Sequence, residues 1–191
     1  MGRLAAAGAR FVKLAFDPRY PVLAPEVAAA AADEAHKLGL CVTAHALEAD
    51  SVRRALEAGA DVLAHTPRDP LPADLLERMK GKWVISTLHA FGVLPARLAA
   101  LREAGARIAY GTDLGNEDTQ PGIDARELLL LIEAGVDPLP AATSEAAELL
   151  GLRDLGRLSV GSTASLLALR GLDPESLARP AWVMICGKLM M

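Results

Sequence analysis

Apolar and polar positions along the chain fall into one repeating unit. Four times an Ala/Leu-rich stretch ends at a glycine and passes directly into a short apolar run. Ala-Ala-Gly-Ala-Arg (6–10) leads into Phe-Val-Lys-Leu-Ala-Phe, and Lys-Leu-Gly-Leu (37–40) into Cys-Val-Thr-Ala-His. Glu-Ala-Gly-Ala-Asp (57–61) leads into Val-Leu-Ala-His, and Glu-Ala-Gly-Ala-Arg (103–107) into Ile-Ala-Tyr-Gly-Thr-Asp. Glycine past the last turn of a helix takes the left-handed conformation that closes it. The runs that follow do not alternate, which suits strands buried on both faces. A fifth strand is read at Trp83-Val84-Ile85-Ser86-Thr87-Leu88.

Helix starts fit the same scheme. Pro25 opens a helix over 25–38, and Asp50 is placed to cap 51–58. Asp124 is placed to cap 125–134, and Asp137 with Pro138 to cap and open 138–150. Gly39, Gly59, Gly105, Gly135 and Gly151 mark the ends. Residues 2–7 read as the last turns of a helix. The leucines at 128–131 read as core packing on a helix that faces the barrel or a partner.

Strands at 11–16, 41–45, 62–65, 83–88 and 107–112, alternating with helices, predict an α/β fold built of parallel βα units. A complete (β/α)8 barrel runs to about 250 residues, and this chain has 191. The expected architecture is therefore a partial (β/α)8 TIM-type barrel of about five βα units, with two open sheet edges. An open doubly wound sheet would also hold five strands, but no Gly-rich phosphate loop follows the first one. From about residue 156 the pattern changes to turns and short strands, at 164–169 and 181–186 with a hairpin end at 187–189. The division expected is a barrel portion over 1–155 and a C-terminal β segment over 156–191.

Composition narrows the partners. A formal charge of −4 with no basic stripe argues against nucleic acid. No apolar run approaches the roughly 18 residues of a membrane span, and the first ten residues hold no apolar leader core. A cytoplasmic protein is expected. A disulfide between Cys41 and Cys186 is one option; two buried reduced thiols are the preferred reading.

Barrel enzymes carry their chemistry at the carboxyl ends of strands. Here those ends bear His45, His65 and Asp113, while Lys13 lies inside the first strand. Two imidazoles and a carboxylate on one rim would suit a divalent, zinc-like ion. Lys13, among Phe11, Val12, Leu14 and Phe16, reads two ways: an ammonium snorkelling to the rim, or a buried amine with a lowered pKa, able to take up carbon dioxide as a carbamate. Arg19 and Tyr20, in the loop after the first strand, are candidates to meet a substrate carboxylate. His89 is a candidate to orient substrate or a solvated loop residue, and His36 reads as surface. The turn-rich loop 115–122 is expected to shape the pocket.

In this order and spacing the motifs resemble the amidohydrolase superfamily, in its imidazolonepropionase-like and prolidase-like branches. Phe-Val-Lys-Leu (11–14) resembles that family's fourth strand with its carbamylated lysine. Val-Thr-Ala-His-Ala (42–46) and Val-Leu-Ala-His-Thr (62–66) resemble the fifth- and sixth-strand histidine ligands, and Tyr-Gly-Thr-Asp (110–113) the eighth-strand aspartate. The segment from Ala142 to Leu152, followed by Leu155 to Gly161, resembles the helix and turn that lead into the family's β-sandwich.

The resemblance implies a hydrolase of carbon–nitrogen bonds in amides, cyclic amides or dipeptide-like molecules. One or two divalent ions, zinc above all, would activate water, and Asp113 would act as base and then acid. Two departures matter, the first serious and the second tolerable, since the aspartate concerned is not a metal ligand in the family. No His-X-His pair occurs in the sequence, and Ser165 stands where the family commonly has aspartate in Gly-X-X-Ala-Asp. A chain without that pair is expected to be truncated and inactive alone, needing a complementing N-terminal segment. The alternative is a non-catalytic remnant or subunit that associates through its open sheet edges, as a homo-oligomer or with another chain.

Overall fold

A computed structural model of the chain describes residues 1–116 and 119–190. The chain forms two compact units. The first comprises Met1–Ser86 and Ala96–Ile108; the second comprises Thr87–Pro95 and the chain from Ala109 onward. Glu117 and Asp118, in the loop expected to shape the pocket, lie outside the described residues.

The expected parallel sheet is present. Strands β1 (Phe11–Ala15), β2 (Cys41–His45), β3 (Val62–Leu63), β4 (Trp83–Ile85) and β5 (Arg107–Ala109) lie side by side in chain order. Register runs Phe11 opposite Cys41 through Ala15 opposite His45, then Thr43 opposite Val62 and Val62 opposite Trp83. β2 and β3 are buried through Val42, Thr43, Ala44, Val62 and Leu63, whereas Lys13 and Ala15 on the outer strand β1 are exposed. This is the α/β architecture of a partial TIM-type barrel.

Helix α1 (Gly2–Ala6) precedes these strands, and α2 (Pro25–Lys37), α3 (Ala49–Glu57), α4 (Ala73–Arg78), α5 (Leu88–Phe91), α6 (Pro95–Glu103) and α7 (Ala125–Glu133) separate or follow them. Ala28, Ala32 and Ala35 of α2 are buried, and their small side chains let that helix lie close to β1 and β2. The glycine signal of the sequence has a concrete origin. At Gly39, φ is +71, the Gly39 amide donates to the His36 carbonyl at 2.9 Å, and the Leu40 amide reaches back to Ala35 at 2.9 Å. These two bonds satisfy carbonyls that a helix end otherwise leaves open. The same backward bond recurs from Ala60 to Ala55, Ala106 to Leu101, Val136 to Leu131 and Leu152 to Ala147.

Several boundaries differ from expectation. Strand β4 stops at Ile85 because Thr87 turns left-handed (φ 46) and starts the one-turn helix α5. Strand β5 stops at Ala109; the next amide, of Tyr110, donates to the Ala141 carbonyl, and Asp113 is also left-handed (φ 48). β3 ends at Leu63, although Ala64 still donates to Ala44. Helix α3 begins at Ala49, so Asp50 sits within its first turn and gives no side-chain cap. Asp124, by contrast, caps α7 as expected, accepting from the amides of Arg126 and Glu127.

The helix expected over 138–150 is two, α8 (Pro138–Ala142) and α9 (Ser144–Leu149). Asp137 caps the first, but the chain breaks at Thr143 (φ −126, ψ −88), whose hydroxyl donates back to the Leu139 carbonyl at 2.6 Å. A hydroxyl in that position competes with the regular backbone pattern. Of the leucine run, Leu128, Leu130 and Leu131 are buried and Leu129 is 40% exposed.

After α9 come β6 (Leu166–Ala168), α10 (Pro174–Ala178), β7 (Trp182–Ile185) and β8 (Lys188–Met190), the strands forming an antiparallel sheet in that order. Cys186 and Gly187 make the two-residue turn between β7 and β8, both with positive φ (49 and 78), the geometry that matches strand twist in a tight hairpin. That turn places Cys186 at the surface, contrary to the expected buried thiol, and both cysteines are free. Among the described residues no helix is long and apolar enough to cross a membrane.

Candidate active site

Three strand ends in the first unit bring polar side chains together. His45 closes β2, His65 lies two residues past β3, and Asp17 lies two residues past β1. The rings of His45 and His65 meet edge to face with centroids 4.8 Å apart and planes at 75°. His45 Nε2 stands 3.6 Å from Asp17 Oδ2. His65 and Asp17 are both buried. The chain holds the imidazoles here because its parallel register sets neighbouring strand ends side by side. The Phe16 amide donates to the His45 carbonyl at 2.9 Å, and Thr66 Oγ1 donates to the Ser86 carbonyl at 2.7 Å.

Asp17 is the residue that sequence reasoning missed. Arg19 donates from Nε and from its terminal nitrogen to the Asp17 carboxylate, the shortest contact being 2.6 Å, and the Arg19 amide donates as well at 2.9 Å. The guanidinium beside it, then that amide, hold the Asp17 carboxyl well below the usual carboxylate range; burial opposes them and His45 adds a smaller pull in the same direction. The only signal in sequence was an acid two residues before an arginine in a loop, a pattern too common to single out. Arg19 is thus engaged within its own loop, and Tyr20 beside it is 67% exposed. Lys13, in register with Thr43, is exposed on β1 rather than buried. Thr43 Oγ1 is buried with no hydrogen-bond partner among the described residues.

Asp113 belongs to the second unit. Asn116 Nδ2 donates to its carboxylate at 2.9 Å and to its carbonyl at 2.8 Å. His89 also belongs there, and it is not a solvated loop residue. It sits in α5, with Nδ1 2.6 Å from Asp124 Oδ2 and its amide donating to Glu127 Oε2 at 2.7 Å. Glu127 Oε1 accepts from Leu88, and the Asp124 amide donates to the Tyr110 hydroxyl oxygen at 2.7 Å. Burial pushes the Tyr110 phenol up to about 12. His36 is on the surface as expected, its Nε2 2.9 Å from Asp61 Oδ2.

These strand ends can be set beside known proteins. No family profile matches the chain. It is 41% identical over 97 residues to an imidazolonepropionase of Deinococcus deserti, a match covering 48% of this chain and 24% of that protein. It is 35% identical over 149 residues to an imidazolonepropionase of Paracoccus denitrificans, covering 70% of this chain and 36% of the relative. These imidazolonepropionase relatives support an assignment to the amidohydrolase superfamily. Among solved structures, a Xaa-Pro dipeptidase with methionine bound in its active site superposes with a TM-score of 0.80 at 24% identity, over 97% of this chain and 55% of that one. That likeness speaks for the shared barrel fold. The chain spans about a quarter to a third of the length of the curated relatives it matches.

For a superfamily member, the donors fit a zinc-like ion in kind, being imidazoles at strand ends. In number they fall short. Among the described residues no group of three or more His, Cys, Asp or Glu could hold a metal. What the first unit brings together is a histidine pair with Asp17 beside it.

Proposed function

We propose that this chain is part of a hydrolase of carbon–nitrogen bonds, acting on amides, cyclic amides or dipeptide-like molecules, and that His45 and His65 contribute to holding a divalent cation, zinc by preference. The observation that carries the reading is the edge contact of these two imidazoles at adjacent parallel strand ends, the rim on which barrel enzymes place their chemistry. Lys13, on the neighbouring strand, would join them as a carbamate. Such an ion, when bound, lowers the pKa of water and polarises a carbonyl. In the same reading Asp113 takes the proton of the attacking water and returns one to the leaving nitrogen. Arg19 and Tyr20, in this reading, would meet a substrate carboxylate, Arg19 by exchanging that of Asp17 for it.

Because the described residues supply too few donors, turnover calls for ligands from a complementing segment or chain. Metal binding is therefore the direct test. Isothermal titration with zinc is expected to show binding that the His45→Ala, His65→Ala double variant loses. Equal affinity in both proteins would overturn the proposal. The second reading, a non-catalytic subunit that pairs through sheet edges, draws on the exposed outer strand β1. Light scattering tests it: a stable monomer at all concentrations counts against edge pairing.

A further inference from the structure

A cleft of about 320 Å³ in the second unit is lined by His89, Gln120, Asp124, Arg126, Glu175 and Arg179, among others. One imidazole in it is held from two sides. Glu127 is fully buried, and its two oxygens accept the amides of Leu88 at 3.0 Å and His89 at 2.7 Å. Those bonds fix the backbone of α5. Asp124 Oδ2 fixes the ring through Nδ1 at 2.6 Å, while Asp124 Oδ1 caps α7. As a carboxylate Asp124 only accepts hydrogen bonds, so the shared hydrogen belongs to Nδ1, and in the neutral tautomer with that hydrogen Nε2 is the acceptor. Among the described residues Nε2 has no protein hydrogen-bond partner.

The backbone around this imidazole is also held in an uncommon conformation. Thr87, which leads into α5, is left-handed at φ 46 and ψ 33, a conformation that disfavours a β-branched residue. Such outliers persist where the surroundings over-determine them, and they cluster at ligand sites. The Thr87 amide donates to the Gly111 carbonyl at 3.2 Å, so α5 starts beside the segment that carries Asp113. Asp124 thus holds the ring, and Glu127 the backbone, of a histidine that lines the cleft.

We infer that His89 is a ligand-contacting residue whose Nε2 accepts a hydrogen bond from an amide N–H, with Asp124 and Glu127 as the positioning residues that hold the ring for it. That the donor is an amide rests on the proposed carbon–nitrogen chemistry; that Nε2 is the accepting atom does not. The charged and titratable groups around the ring are Asp124, Glu127 and Arg126 at the start of α7, Glu175 and Arg179 on or beside α10, and Tyr110 behind Asp124.

The test uses the full chain, without added metal, and two cyclic dipeptides as probes. Cyclo(Gly-Gly) presents amide N–H groups, and its N,N′-dimethyl derivative has none. Chemical-shift titration is expected to show cyclo(Gly-Gly) binding about tenfold more weakly to His89→Leu, with partial recovery in His89→Gln, whose amide oxygen accepts. The dimethyl derivative is expected to bind both proteins equally weakly. Absence of cyclo(Gly-Gly) binding to the natural chain, an unchanged affinity in His89→Leu, or indifference to N-methylation overturns the inference. Should His89→Leu fail to fold, the long-range ¹H–¹⁵N spectrum of the natural chain decides: a neutral His89 with its hydrogen on Nδ1 supports the assignment, and one with it on Nε2 overturns it. The zinc titration reads the His45 and His65 pair, and the cyclo(Gly-Gly) titration, run without metal, reads His89, so a failure of the zinc proposal and a failure of this one are read separately.

Discussion

Two histidine sites in this chain are built by different means. In the first unit, His45 and His65 owe their meeting to strand register: each closes or follows a short parallel strand, and neighbouring strand ends set the rings 4.8 Å apart. In the second unit, His89 follows a strand that has already broken, and two acids on or beside α7 hold it by backbone and ring. The first arrangement rests on backbone pairing between strands. The second depends on two side chains, so it can be dismantled one group at a time.

The largest expected effect comes from Glu127. Replacing it by leucine leaves the amides of Leu88 and His89 buried without their acceptors, at about 1–3 kcal/mol for each unsatisfied group. Glu127→Leu should therefore destabilise the protein by about 3 kcal/mol in chemical denaturation and abolish hydrogen-exchange protection at those two amides. Intact protection would mean that α5 stands without Glu127, and the contrast with the first unit would collapse.

Tyr110 is the next lever. Its hydroxyl oxygen accepts the Asp124 amide, and Tyr110→Phe should cost about 1 kcal/mol, a typical neutral hydrogen bond. The phenol gives an independent reading. Its value is raised to about 12 by burial, against about 10 for a free tyrosine. A raised value means its contribution is full below pH ~10 and fades as pH rises toward ~12. Absorbance titration of the folded protein should show one tyrosine ionising late, and Tyr110→Phe should remove it. A normal titration of both tyrosines would show that the cradle around Asp124 is open to water.

Why one site was legible and the other was not follows from the same contrast. Val-Thr-Ala-His and Val-Leu-Ala-His repeat because each βα unit repeats, and a strand ends where its apolar run ends. Nothing local announces the partners of His89, since Asp124 and Glu127 lie 35 and 38 residues further on. The same holds at the boundaries. Glycine ends at 39, 59, 105, 135 and 151 were readable because backbone chemistry alone demands glycine there. The early stop of β4 was not, because a left-handed threonine is held by its surroundings against its own preference. The break at Thr143 and the exposure of Lys13 are likewise products of tertiary context.

The smallest effect expected concerns Asp17, and it probes the first unit. Its carboxyl is held low chiefly by Arg19, so the ionised form is favoured in the folded protein. A lowered value contributes stability that is complete above the unfolded carboxyl's ordinary value of about 4 and is lost as pH falls further below it. Asp17→Asn should therefore lower stability at neutral pH, by less than Glu127→Leu because the exposed Arg19 side chain leaves the ion pair screened by solvent, while flattening the acid limb of stability against pH. Arg19→Gln should flatten it in the same way, since both changes remove one ion pair. If strand register alone places the imidazole, the His45 ring resonances in Asp17→Asn should keep their contact with His65. A loss of that ring-to-ring contact would show that Asp17 positions His45 as Asp124 positions His89, and the two sites would then share one mode of construction.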